Sequence, residues 1–432
     1  MHRLTTALAV ITIVGVGAGC GGSDEVQDID LPRAQQMTHP SLLHGRVITT
    51  DGETYQGRLR FGGDEEAFWG DYFNGRKDVN PWIAHMPASE RPRRGVRLIG
   101  MEIGGDGAAI QRPFMARMGD IAKLEARGRD LWVTMKSGTV HHLDRYAADD
   151  YADGVRVWDA TRGVVDLDER HIRAIEFEAP PRAGSEAPYR LHGSVRTGRG
   201  VFTGFIQWGR EGSLAMDELH GTTEEGEQVS MPFATVRSIS RLSRESARVT
   251  LLDGREVVLS DGRHIGAGNR GIYVDDARYG RVLVSWAALE GAHFTPVGAT
   301  AGDSSPSYDD FPAGRPLAGT VTTRSGREYG GRIVFDLDES EVTETLDAPL
   351  QGVDYTLPFA LVQSIVLTGG GDRTSGLVDV FLRSGERLQL ERAGDLGRYN
   401  GGLLIFTGAG EQAEYVPWRD VVLIDFEALP VQ

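Results

Sequence analysis

Between Gly319 and Phe335 apolar and polar positions alternate with a period of two. Val321 and Thr323 share one face, Ser325-Gly326 interrupts, and Tyr329, Gly331, Ile333 and Phe335 resume it. Alternation predicts strands with one buried face, and Ser-Gly between two such runs predicts a tight turn, so the stretch reads as a β-hairpin. Two more copies occur, at His44-Gly45-Arg46-Val47 with Asp51-Gly52, Tyr55, Gly57 and Phe61, and at His192-Gly193-Ser194-Val195 with Phe202, Gly204 and Trp208. Each leads to a Pro-Phe pair ahead of a short apolar alternation: Pro113-Phe114 to Ile121, Pro232-Phe233 to Ile239, Pro358-Phe359 to Ile365. These stretches are termed A halves.

A second kind of unit, the B half, follows each of them. It runs from Val133 to Leu143 around Ser137-Gly138, from Val249 to Leu259 around Asp253-Gly254, and from Val380 to Leu390 around Ser384-Gly385. Each continues to a glycine at 154, 271 or 402 and ends on Phe177, Phe294 or Phe426; Trp286 and Trp418 match each other in the last two. Five of the six halves place Asp-Gly or Ser-Gly at the expected turn, the mark of a modular array. Pairing A with B predicts three repeat units, about 42–178, 190–296 and 316–428, separated by turn-rich linkers. Phe114 to Arg127 has helix-favouring composition, but alignment of the repeats predicts a strand. Glycine, at 57 of 432 residues, is about 13% of the chain against an average of roughly 7%, as expected of a turn-rich all-β fold.

A half of about fifty residues with a bent hairpin and a closing Pro-Phe strand resembles the small SH3-like barrels. Its Gly-x-x-Tyr-x-Gly pattern resembles the first motif of Sm-like domains. The resemblance implies a tandem array of SH3-like barrels in three A-plus-B pairs; a six-bladed β-propeller is the alternative. Where Sm-like proteins carry RNA-contacting Asp, Asn and Arg-Gly, this chain has Asp336-Leu337-Asp338-Glu339 and Pro358-Phe359, so the RNA-binding residues are not carried over. At the N-terminus His2 and Arg3 precede an apolar run from Leu4 to Val16 that is short for a membrane span, and Gly17-Ala18-Gly19-Cys20 resembles the lipobox of bacterial lipoproteins. That resemblance implies a signal peptide over 1–20 and a lipid on Cys20. The polar segment 21–41 then reads as a flexible tether. Gly21 after the cysteine implies retention at the outer membrane. Cys20 is the only cysteine, so no internal disulfide can form.

A formal charge of −16 repels phosphate backbones and argues against a nucleic-acid partner. No glycine-rich phosphate loop, zinc-helix motif or nucleophile elbow is present, and no cofactor is expected. His141 and His142 are adjacent on a predicted strand and point to opposite faces, so they cannot share a metal. The acidic clusters, Asp336 to Glu341 among them, lack calcium-loop spacing and read as solvated loops, so no metal is expected.

The repeat breaks in one place. From the first glycine to Pro-Phe the second and third A halves have equal spacing (193 to 232, 319 to 358), but the first runs from 45 to 113. The extra residues lie within about 62–110, where Trp69, Tyr72, Phe73 and Trp82 are concentrated between an acidic start and a basic end. Trp132 faces outward by alternation where its equivalents are Arg248 and Asp379. Exposed aromatics on a rigid β scaffold are candidate binding residues. The expected function is therefore a non-catalytic binding or scaffold module of the cell envelope. It is held to the membrane through Cys20 and contacts an envelope protein or a glycan through Trp69, Tyr72, Phe73, Trp82 and Trp132. The alternative is a glycan-binding or glycan-cleaving protein that uses the insertion, with a carboxylate pair such as Glu65 and Asp71 as acid and base.

Overall fold

The computed structural model describes residues 40–62, 65–91, 96–98, 101–103, 112–181, 189–260, 262–296, 306–367, 376–408 and 412–428. Among the described residues the chain is all-β, with several antiparallel sheets, none of them closed, and one α-helical turn at Asp149–Ala152. It divides into two compact units. The first is built on Pro188–Val274 and Leu283–Asp303, the second on Pro32–Ala187, Asp275–Val282 and Ser304–Gln432.

The repeats seen in the sequence recur as strand order. In the first repeat the sheet runs Gly163–Leu167, Val155–Asp159, Thr54–Phe61, His44–Thr49, Ile172–Phe177, Ile121–Arg127, Asp130–Met135, Val140–Asp144. The third repeats this order as Glu414–Val416, Leu403–Phe406, Glu328–Val334, Ala318–Thr323, Val421–Phe426, Val362–Val366, Leu377–Leu382, Arg387–Glu391. In the middle repeat the same sequence of neighbours runs from Gly200–Trp208 through His192–Thr197, Leu289–Phe294, Val236–Arg241 and Ser246–Leu251 to Glu256–Ser260.

The last strand of each B half thus lies between two strands of its A half. Ile175 faces both Val47 and Leu124, Ala292 faces both Val195 and Ile239, and Ile424 faces both Val321 and Ile365. The halves share one sheet, which leaves the first and third repeats without separate four-stranded propeller blades.

Local chemistry repeats as closely. In the turns, Gly52, Gly138, Gly254, Gly326 and Gly385 all adopt φ between +79° and +91°. That is the left-handed residue of a hairpin with a glycine bulge, where a side chain would be strained. At the end of the second strand Phe61, Trp208 and Phe335 have no exposed surface. Leu43, Leu191 and Leu317 each donate a backbone N–H to the carbonyl of Glu66, Ser213 or Ser340. The segment after that strand is tied by one carboxylate accepting two successive backbone N–H groups: Asp71 from Glu66 and Ala67, Asp217 from Ser213 and Leu214, Glu344 from Ser340 and Glu341.

These bonds give the repeats a different register from the Pro-Phe alignment at one point. Met118, Phe233 and Phe359 each open a short 3-10 turn and donate N–H to the carbonyl of Asp71, Asp217 or Glu344. Arg117-Met118, not Pro113-Phe114, is therefore the first repeat's counterpart of Pro232-Phe233 and Pro358-Phe359. Phe114 to Arg127 forms strand, 3-10 turn and strand, without α-helix. Pro113–Arg117 instead pairs with Tyr72–Arg76 in a hairpin that matches Glu218–Thr223 with Gln228–Pro232 and Thr345–Leu350 with Val353–Pro358. The hairpin tip is 351–352 in the third repeat and 77–112 in the first. The insertion is thus 77–112, and Trp69, Tyr72 and Phe73 belong to elements that every repeat possesses.

Candidate functional cleft

The five aromatic candidates do not meet. Phe73 has no exposed surface and Tyr72 is 3% exposed, so both are packing residues of the first repeat. Half-buried Trp69 packs on that repeat's core, with the Arg117 guanidinium 5.0 Å from its ring and Phe311 6.5 Å away. Trp132 does stand on the outward face, but its cover is local: Arg127 lies 3.7 Å from its ring and His142 4.5 Å away. Only Trp82 lies in the insertion, on the 3-10 turn Pro81–His85, and it packs at 6.2 Å against Phe406 of the third repeat. Asp71 is committed to structure, holding two backbone amides and the Arg281 guanidinium at 2.9 Å. Cys20, and with it the signal peptide and residues 21–39 of the tether, lies outside the described residues, as do Arg93 and Arg94 at the basic end of the insertion; Ser41, at the end of the tether, is instead buried, its carbonyl accepting from the Phe68 N–H at 2.9 Å.

What the insertion builds is a wall. Met86 joins Val334, Leu337, Leu404 and Phe406 in a small apolar cluster, and Asn80 Nδ2 donates to the Leu337 carbonyl at 2.9 Å. Beside this contact lies a cleft of about 610 Å³ whose floor carries Lys77 and Arg112 from the insertion and Asp336, Asp338, Glu339, Glu344, Asp347 and Asp395 from the third repeat. Lys77 Nζ donates to Asp338 at 2.7 Å and to Glu344 at 3.3 Å, all three side chains being buried or nearly so. Arg112 bonds the carboxylate and the carbonyl of Asp336. Of these acids, Asp336, Asp338 and Glu339 are ones that the sequence pattern reads as a solvated loop.

Electrostatics follow from burying more carboxylates than cations. Burial pushes Asp336 up to about 6 against the pull of Arg112, and Asp347 up to about 6 against hydrogen bonds from Thr356 and Thr345. Burial, with Asp338 beside Glu339 and Asp347 beside Asp395, drives Glu339 and Asp395 well above the usual carboxylate range. Glu344 goes the other way: burial disfavours its charge, but Lys77, His141 and two backbone amides outweigh that and hold its pKa down. Burial likewise opposes the charge on Lys77, and Glu344, Asp338 and Glu339 more than restore it. His141, packed 5.0 Å from the Phe114 ring, is lowered to about 4 by burial and by Lys77.

The backbone at the floor is strained. Asp336 has φ +49° and Leu337 φ +57°, in the left-handed region that costs a non-glycine residue about 1–3 kcal/mol. At the position of Asp336 the other two repeats carry Gly62 and Gly209, with φ +51° and +65°. A residue that defies its own repeat, held by Arg112 and by the Gly401 N–H, is a sequence signal for this site that alternation cannot supply. The remaining floor residues carry no such signal, since they come from the insertion and from distant strands.

The cleft opens, through Arg112, Gly394, Tyr399 and Asn400, into a groove of about 1400 Å³ on the same compact unit. Five arginines, at 112, 324, 392, 398 and 419, and one carboxylate, Glu90, line it among the described residues. Tyr399 stands 80% exposed at its rim. No group of three or more His, Cys, Asp or Glu among the described residues is disposed to hold a metal ion, and no helix among them is long and apolar enough to cross a membrane. No protein-family model, curated protein or solved structure matches the chain.

Proposed function

We propose that this chain is a non-catalytic binding protein of the bacterial cell envelope, lipidated at Cys20 and retained at the outer membrane, whose ligand-binding site is the cleft and groove framed by Lys77, Asn80, Met86 and Arg112 of the insertion. One observation carries the binding role. Two repeats close the hairpin equivalent to Tyr72–Arg76 and Pro113–Arg117 with short tips, whereas the first extends it into a segment whose cations and apolar side chains frame a concave surface. Concave sites with convergent polar groups are where ligands bind. The three repeats are, on this reading, SH3-like modules in which two halves share strands, and they serve as the rigid scaffold. The partner is an envelope protein or a glycan, not nucleic acid.

Two measurements test this. Intact-mass analysis of the protein extracted from membranes should show a chain beginning at a diacylated Cys20; another start or an unmodified cysteine refutes the anchor. A photo-crosslinking residue at Tyr399 should capture a ligand in intact cells, and one at Tyr146, 63% exposed in the first repeat, should not. Equal capture at both positions, or at neither, refutes the cleft. A second reading, glycan cleavage, draws on Asp336 and Asp347 with pKa near 6, the range that suits a general acid. It requires turnover of an envelope glycan that Asp347→Asn abolishes.

A further inference from the structure

We infer that the groove of the second compact unit binds an acidic polysaccharide, its guanidinium groups gripping carboxylates along the chain and Tyr399 stacking on a sugar ring. The inference rests on the reading of this concavity as a binding site and adds the class of its ligand. Charge is the first ground. The chain is acidic as a whole, yet among the described residues the groove is lined by five arginines and a single carboxylate. Some exposed arginines elsewhere are neutralised by neighbours, as Arg156 is by Asp166 and Arg387 by Asp379. In the groove Arg112 and Arg419 have carboxylate partners, Asp336 and Glu90, but three arginines do not: Arg324 gives its Nε to the Arg419 carbonyl, Arg392 one amino group to the Leu367 carbonyl and Arg398 one amino group to the Tyr399 hydroxyl. None of these three has a carboxylate partner among the described residues. Their remaining donors form planar forks suited to a carboxylate.

Shape and ring chemistry select among anions. Arg398 lies over one face of the exposed Tyr399 ring, 4.6 Å from its centre, so a cation and the ring's opposite face are presented together at the rim, where an acidic pyranose offers a charge and a flat apolar face together. A bilayer surface is flat and cannot bring its phosphates into a walled concavity. An acidic peptide would match the arginines but would leave the bare tyrosine face without a ring to stack on. At about 1400 Å³ the groove exceeds the usual volume of a small-molecule pocket, about 300–1,000 Å³, as an extended oligomer requires.

The test is calorimetric titration of the full-length chain, purified in detergent, with hexagalacturonate as the probe. Maltohexaose serves as the neutral control, oligoglutamate as the peptide polyanion and phosphatidylglycerol vesicles as the membrane. Hexagalacturonate should bind, weaken at least fivefold between 50 and 300 mM salt, and lose at least tenfold in affinity in Arg392→Ala/Arg398→Ala. Tyr399→Ala, at an exposed position that cannot unfold the chain, should weaken it severalfold. Maltohexaose should not bind. Failure of hexagalacturonate to bind, equal binding of maltohexaose, or indifference to both variants overturns the inference. Binding of oligoglutamate as tightly as the uronate, or vesicle binding that Arg392→Ala/Arg398→Ala abolishes, also overturns it, while leaving the groove standing as a binding site.

Discussion

The A halves of the first and third repeats are built on one backbone plan and carry different chemistry. Phe61 and Phe335 fill the same core position, Leu43 and Leu317 make the same backbone bond, and Asp71 and Glu344 tie the same segment. Two departures separate them. The first half extends a hairpin tip into 77–112, and the third places Asp336 where the first has Gly62. Each departure is costly alone, since it exposes a long loop or strains the backbone. They compensate each other, because Arg112 and Asn80 of the extension hold Asp336 and Leu337 in place. A repeat thereby gains a cleft without altering the framework that folds it.

The comparison is most sharply broken at Lys77. Lys77→Met leaves Asp338 and Glu344 buried without their cation, and loss of one partner of a buried pair costs about 3–5 kcal/mol. A urea midpoint for the unfolding of the second unit unchanged by this substitution would show that the extension does not anchor the third repeat. Phe61→Ala and Phe335→Ala should each cost about 3–5 kcal/mol. Similar losses in the two variants support a common framework, whereas a difference approaching the whole effect argues against it.

The pH dependence sharpens the contrast at the floor. Asp347 occupies the position that is Asn74 in the first repeat, as the paired hairpins show. Because the folded pKa of Asp347 is about 6 against an ordinary 3.8, the fold favours its protonated form. Its contribution is present below about pH 4 and is lost as pH rises through about 6. Asp347→Asn should therefore compare more favourably with the unsubstituted chain at pH 7 than at pH 4.5. A stability difference that stays constant between those two pH values would rule out the raised pKa. The smallest effect belongs to Trp132. With Arg127 and His142 against it, Trp132→Ala should cost about 0.5–1 kcal/mol, the scale of an exposed cation-π contact, and leave ligand capture unchanged.

The sequence by itself determined the elements: alternation marked the strands, Asp-Gly and Ser-Gly the turns, and the recurring Phe61, Trp208 and Phe335 the cores. These are local or repeated consequences of side-chain periodicity and of glycine's access to positive φ. It misaligned the first Pro-Phe, because Pro113-Phe114 copies the residues of the closing turn without copying its bonds. The insertion was consequently drawn too wide, and four ordinary repeat or strand residues, Trp69, Tyr72, Phe73 and Trp132, were counted with Trp82 as a surface. Tertiary structure alone decided how the A and B halves share a sheet, since a strand's alternation names its buried face and not its neighbour. It alone also decided that the acids from Asp336 to Glu344 are buried. Their partners, Lys77 and Arg112, are more than 200 residues away in the chain, and the free energy of a buried charge depends on what stands beside it in space.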